Sequence, residues 1–235
     1  MASVRWLSAV FGWLQNVIAV VRIRLYFLLM RLLPVVSPQE DYFGMRTYMG
    51  LVDPEEIAAG KKHVRLAIAC IAEYDPRRFA RLKADLRGIL IYPFSRQITA
   101  AYNRSTGFCE LSPSAAISND WLHTACLIVH EGAHARFPRL RGNDPERRVR
   151  IERACMSQEI AFLERVPTTN AAGRAERIEQ TRTTMKDLKE EDYTNAQLFY
   201  RYHTELNAAM ATWRRPSNSK GAPAQPASRS AEHKS

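Results

Sequence analysis

The chain has 235 residues, 46% of them hydrophobic, and carries four cysteines and no internal repeat. That is enough to bury one sizeable core and excludes a repeat array. The formal net charge is +10, and 27 of the 34 basic residues are Arg. Such a balance suits an acidic substrate, an anionic lipid surface or nucleic acid, but no aromatic side chains interleave with the arginines and no nucleic-acid motif is present, so nucleic acid is disfavoured.

From Trp6 to Leu33 nearly every residue is apolar, with Arg22, Arg24 and Arg31 interrupting the run. Helical spacing gathers Leu7, Leu14, Val21, Leu25, Leu28 and Leu32 on one face and leaves the arginines off it. The longest uncharged stretch, Trp6 to Val21, is sixteen residues, short of the roughly 20 that span a bilayer. Residues 1–36 are therefore expected to lie in the plane of an anionic membrane surface. A short tilted span is the alternative, and the three arginines on its C-terminal side would then place the rest of the chain in the cytoplasm. A helix docked on the protein's own core or on a partner is the third possibility. No small-residue cleavage site follows, which argues against a removed signal peptide.

Residues 37–215 read as one domain. Helices are expected over Pro54 to Tyr74 and Pro76 to Leu86. Gly88 to Pro93 then reads as a short buried strand, Ile98 to Tyr102 as another, and Asn103 to Gly107 as a hairpin loop leading to Phe108–Leu111. The fold class is α+β, mainly α, with a small antiparallel sheet ahead of the central helix. Tyr102 and Glu110 are the candidates from this sheet for lining a substrate cleft.

That central helix is expected over Asp120 to Phe137, with Ser118, Asn119 and Asp120 as potential N-caps and Pro138 as the break. It contains His130-Glu131-Gly132-Ala133-His134, an HExxH pattern. Residues four apart are neighbours on a helix, so the two imidazoles can converge on one zinc ion with a carboxylate beside them. A catalytic zinc takes a third protein ligand and keeps one position for water. The next helix, Arg147 to Val166, offers Glu152, with Glu159 on the same face as the rival ligand or as a group that orients a ligating His. Glu146, Glu164 and His203 are further alternatives.

This arrangement resembles the gluzincin group of zinc metallopeptidases, in which a Glu on a later helix completes an HExxH site. The resemblance covers about His130 to Glu159. It implies a zincin-like catalytic domain, with His130, His134 and Glu152 as zinc ligands and Glu131 as general base. It also implies peptide or protein substrates, hydrolysed by a metal-activated water. The chain departs from better-known members in lacking an Asn-Glu-x-x-Ser-Asp or Glu-x-x-x-Asp run, since Arg153, Ala154, Cys155 and Met156 follow Glu152. It lacks the third His of the metzincin pattern as well.

A helix over Ala171 to Lys189 and a last one over Glu190 to Arg214 complete the domain. On the last, Tyr200 and His203 fall off the apolar stripe and are the candidate donors to a developing oxyanion. The Ser-, Ala- and Pro-rich tail 216–235 is expected to be disordered. The widely spaced cysteines form no CxxC and read as free thiols, although Cys126 and Cys155 lie close enough in sequence to His130 and Glu152 to approach the metal. The rival from another class is a non-catalytic, zinc-stabilised adaptor at membranes.

Overall fold

The computed structural model describes residues 32–50, 54–93, 99–117, 120–137, 144–167 and 173–193, together with helical backbone at Val21, Leu25 and Leu28. The described residues are mixed α and β and mainly helical, and among them is one five-stranded sheet. Strands β1 (Gln39–Tyr42) and β2 (Met45–Met49) form an antiparallel hairpin. Helices α1 (Pro54–Tyr74) and α2 (Pro76–Asp85) follow, then β3 (Gly88–Ile91), β4 (Ala100–Asn103) and β5 (Phe108–Leu111). The remaining helices are α3 (Pro113–Ile117), α4 (Trp121–His134), α5 (Pro145–Leu163) and α6 (Arg174–Asp187), with a 3-10 turn at Glu190–Tyr193.

The sheet order is β1-β2-β3-β5-β4. Pairs β2–β3 and β3–β5 are parallel, while β1–β2 and β4–β5 are antiparallel. The expected all-antiparallel sheet is thus corrected to a mixed one. The β4–β5 hairpin is present, but β5 folds back beside β3, so the two run the same way. The continuous apolar run Gly88–Ile91, buried at every position, is the signature of a central parallel strand covered on both faces. Strands β1 and β2 were not expected. Gln39, Glu40 and Asp41 carry no apolar alternation, and their turn places Phe43 at φ 58° ahead of Gly44, where Asn-Gly is the usual signal.

One sheet face, with Met45, Met49, Ile89, Ile91, Cys109 and Leu111, packs on the helices and forms the main core with residues such as Val64, Ile68, Ile128 and Phe162. The other face gathers Tyr48, Leu90, Tyr92 and Phe108 under Leu33. Leu33 belongs to a helical segment at 32–36, and its stripe neighbours Leu25, Leu28 and Leu32 are about half exposed. Among the described residues no helix is long and apolar enough to cross a membrane.

Helix α4 starts where Asp120 accepts a hydrogen bond from the His123 amide (2.8 Å), the N-cap chemistry that Asp supplies. Helix α2 lies so close to it that a Cβ on Gly132 would stand 2.0 Å from Leu82 Cδ2. Glycine therefore lets α2 and α4 meet. Helix α5 starts in the same way, with Asp144 accepting from the Arg147 amide (2.9 Å) and Pro145 in the first turn. It begins two residues before the expected Arg147, because Asp144-Pro145 is the cap. At Glu190–Tyr193 the chain forms a 3-10 turn where an α-helix was expected. The rest of that expected helix lies outside the described residues.

Candidate metal centre

Packing of α4 on α5 brings three donor atoms together. His130 Nε2 and His134 Nε2 lie 3.2 Å apart, and Glu152 Oε2 is 3.3 Å from the first and 3.5 Å from the second. Two imidazoles and one carboxylate at about 2.1 Å around a tetrahedral ion should stand about 3.4 Å from one another. The triangle in the structure has those sides, so the donor set fits a zinc-sized cation. It also leaves a fourth position not supplied by these three groups.

Glu159 approaches the other nitrogen of His130, with Oε1 3.5 Å from Nδ1. The two carboxylates thus divide the ring between them, Glu152 at Nε2 and Glu159 at Nδ1. Burial pulls the His130 imidazole down, but hydrogen bonds to Glu152 and Glu159 and the charge of Glu131 outweigh it and lift the group to about 10. Burial raises the Glu152 carboxyl, yet the bonds to His130 and His134 hold it down at about 2. A metal held by these three groups would have to displace the His130 proton.

Glu131 is 8% exposed. Burial raises its carboxyl above the ordinary range, as does the charge of Glu152. His130, His134 and a hydrogen bond from the Tyr102 backbone amide offset part of that rise. Tyr102 sits on β4, the edge strand, so the sheet edge borders the acid of the HExxH helix. Arg104, in the turn after β4, donates to the carbonyls of His134 (2.9 Å) and Phe137 (2.6 Å). It thereby satisfies groups that a helix C-terminus leaves open. Nothing in the sequence announces that contact, since it depends on how the hairpin lies across α4.

Cys155 is fully buried, beside Ala133, Ile151 and Phe137. Its sulfur lies within 4.8 Å of the histidine donor atoms, a looser fit than the Glu152 triangle. Burial and the neighbouring carboxylates push its thiol well above the usual range. Cys126 is buried in the main core. His123 accepts from Arg177 (Nη1 to Nδ1, 2.8 Å), which also pairs with Asp120, and so is held by α6 rather than by the metal donors.

The other candidates separate cleanly. Glu146 pairs with Arg150 and Glu164 with Arg182, so neither faces the two imidazoles. Glu110 is buried at 4% exposure, accepting from Tyr92 Oη (2.8 Å) and Asn103 Nδ2 (2.7 Å). Tyr200 and His203, the expected oxyanion donors, lie outside the described residues, as does the tail 216–235. Comparison of the chain with family models, with curated proteins and with solved structures returns no match.

Proposed function

We propose that this chain is a zinc-dependent peptidase of zincin-like architecture. The observation that carries the reading is the triangle of His130, His134 and Glu152 donors with the buried Glu131 carboxylate on the same helix. His130, His134 and Glu152 would hold the zinc, which would supply acidification of water and polarisation of a carbonyl. Glu131, buried on the same helix with its carboxyl raised by burial, is the group placed to take the water's proton and hand it to the leaving amine. The Tyr102 amide fixes its direction. Glu159, accepting from His130 Nδ1, leaves the Nε2 lone pair free for the metal and locks the ring.

The position of β4 supports a peptide substrate. It is an edge strand, and an extended chain added along such an edge is held by main-chain hydrogen bonds. The Tyr102 contact means that a strand laid there passes beside Glu131. Residues 1–36 hold the enzyme on an anionic membrane surface, a reading supported by the half-exposed stripe Val21, Leu25, Leu28 and Leu32 and by the flanking arginines.

The test compares zinc-loaded wild type with zinc-loaded Glu131→Gln on a broad peptide library. Hydrolysis by the first and none by the second is the expected result. Equal zinc content with no Glu131-dependent hydrolysis would sink the enzyme reading. One observation favours the second reading, a metal-stabilised adaptor: Cys155 lies near enough to close the coordination sphere, and closed sites are structural ones.

A further inference from the structure

A cavity of about 410 Å³ opens where α2, α4 and α5 meet. Its apolar wall takes Leu82 from α2, Val129 and Ala133 from α4 and Ala154 from α5, with Phe137 just past the end of α4. Val129 and Ala133 each precede a metal-site histidine by one residue, which turns them about 100° away on the helix. The cavity therefore shares two helices with the metal donors, and none of the donors lines it.

The polar part of the lining is basic. Arg78, Arg81 and Arg136 face the cavity, together with Asp85 and Gln158. The Arg78 side chain is 7% exposed, its Nε donating to Asp75 Oδ2 (2.7 Å) and its Nη1 to Gln158 Oε1 (3.0 Å). With that oxygen taken, Gln158 keeps its amide NH2 as a donor. Arg165, which does not line the cavity, reaches the same Asp75. Arg136 meets Asp85 at 3.3 Å, and Arg81 meets no carboxylate among the described residues. Four guanidiniums thus share two carboxylates. Burial pulls the Arg78 guanidinium below its ordinary value, the bond to Asp75 and its charge oppose that, and the charges of Arg81 and Arg165 add to it. Like charges gathered around one cavity repel until an anion enters.

Charge and shape select the anion. A carboxylate or a phosphodiester brings one negative charge, whereas a phosphate monoester brings about 1.5–2 at pH 7. Guanidinium forks match its oxygens in pairs. The cavity has the volume of a small-molecule site rather than of a bare ion, and its apolar wall suits a carbon chain. We propose that the cavity between α2, α4 and α5 binds a phosphate monoester, with Arg81 and Arg136 on its oxygens and its organic part against Leu82, Val129 and Phe137. Phosphatidic acid and a soluble alkyl phosphate share that chemistry. The site stands independently of the peptidase reading, since it uses none of the metal donors.

The test is calorimetric titration of the full chain with butyl phosphate, dibutyl phosphate and butyrate. The monoester should bind about tenfold or more tighter than the other two, the scale of a charge-assisted hydrogen bond. Arg81→Ala and Arg136→Ala should each remove that preference with Tm unchanged, because both residues are exposed. Arg150→Ala takes the same charge from exposed surface beside Glu146 and should keep the preference. Vesicles identify the source. Cosedimentation that favours phosphatidic acid over phosphatidylserine, and loses that bias in Arg81→Ala, means the lipid. Equal cosedimentation with both, or a bias that Arg81→Ala leaves intact, means a soluble ester. Equal binding of the three soluble probes, binding of none, a monoester preference that survives Arg81→Ala, or one lost equally in Arg150→Ala would overturn the assignment.

Discussion

The backbone amide of Tyr102, on the edge strand β4, donates a hydrogen bond to the buried carboxylate of Glu131, on α4. The edge strand and the helix that carries the candidate metal donors are thereby joined at the acid between them. This contact makes the edge of the sheet a wall of the candidate site.

Glu152 and Glu159 divide the two nitrogens of His130, so their substitutions should differ in kind. Glu159→Gln keeps all three donors and weakens only the orientation of the ring, at about 10–100-fold in zinc affinity. Glu152→Gln removes the carboxylate that meets both imidazoles and should cost more. Competition with a chelating dye measures both. A larger loss for Glu159→Gln would reverse the roles.

Glu110 should make stability fall with rising pH. Its burial lifts the carboxyl to about 6, against the bonds from Asn103 and Tyr92 that lower it. A folded-state value above the unfolded one means that the native state holds the proton longer. The associated stability is present below about 4.5 and is lost as pH rises through about 6, an effect of about 2 kcal/mol. Glu110→Gln should flatten the urea-unfolding stability over that window and leave the protein more stable at neutral pH. An unchanged pH slope would remove Glu110 as its source.

Gly132→Ala should destabilise through Leu82. The new methyl would stand 2.0 Å from Leu82 Cδ2, and overpacking of this kind costs about 1–3 kcal/mol against the ~1 kcal/mol that Ala gains over Gly in a helix. In a Leu82→Ala background the same substitution should be neutral or stabilising. If its cost is equal in both backgrounds, close packing of α2 on α4 is not the reason for the glycine.

Much of this site was legible in the residues because helices report locally. The His130–His134 spacing, the apolar run before it and the Glu152–Glu159 face of α5 all follow from a period of 3.6 residues. The sheet was legible only in part. Gly88–Ile91 and the β4–β5 hairpin carry their own signals, whereas β1, with its polar Gln39-Glu40-Asp41, owes its existence to pairing with β2. Parallel pairing of β3 with β5 is non-local: the apolar run of β3 suits a central parallel strand but does not name its partner.

The exposed stripe at the N-terminus makes a prediction for lipid. Replacing Leu25 and Leu28 by Glu should abolish cosedimentation with vesicles containing phosphatidylserine and leave zinc content intact. Unchanged binding to those vesicles would show that the stripe is not the membrane-facing surface.

The chemistry turns on which atoms hold the metal. Zinc-edge X-ray absorption on the purified full chain reads the ligand set directly. The account predicts two imidazole nitrogens, one carboxylate oxygen and a solvent oxygen, with Glu152→Gln perturbing the spectrum and Cys155→Ser leaving it unchanged. A sulfur scatterer at about 2.3 Å that disappears in Cys155→Ser would mean a closed site and would contradict it.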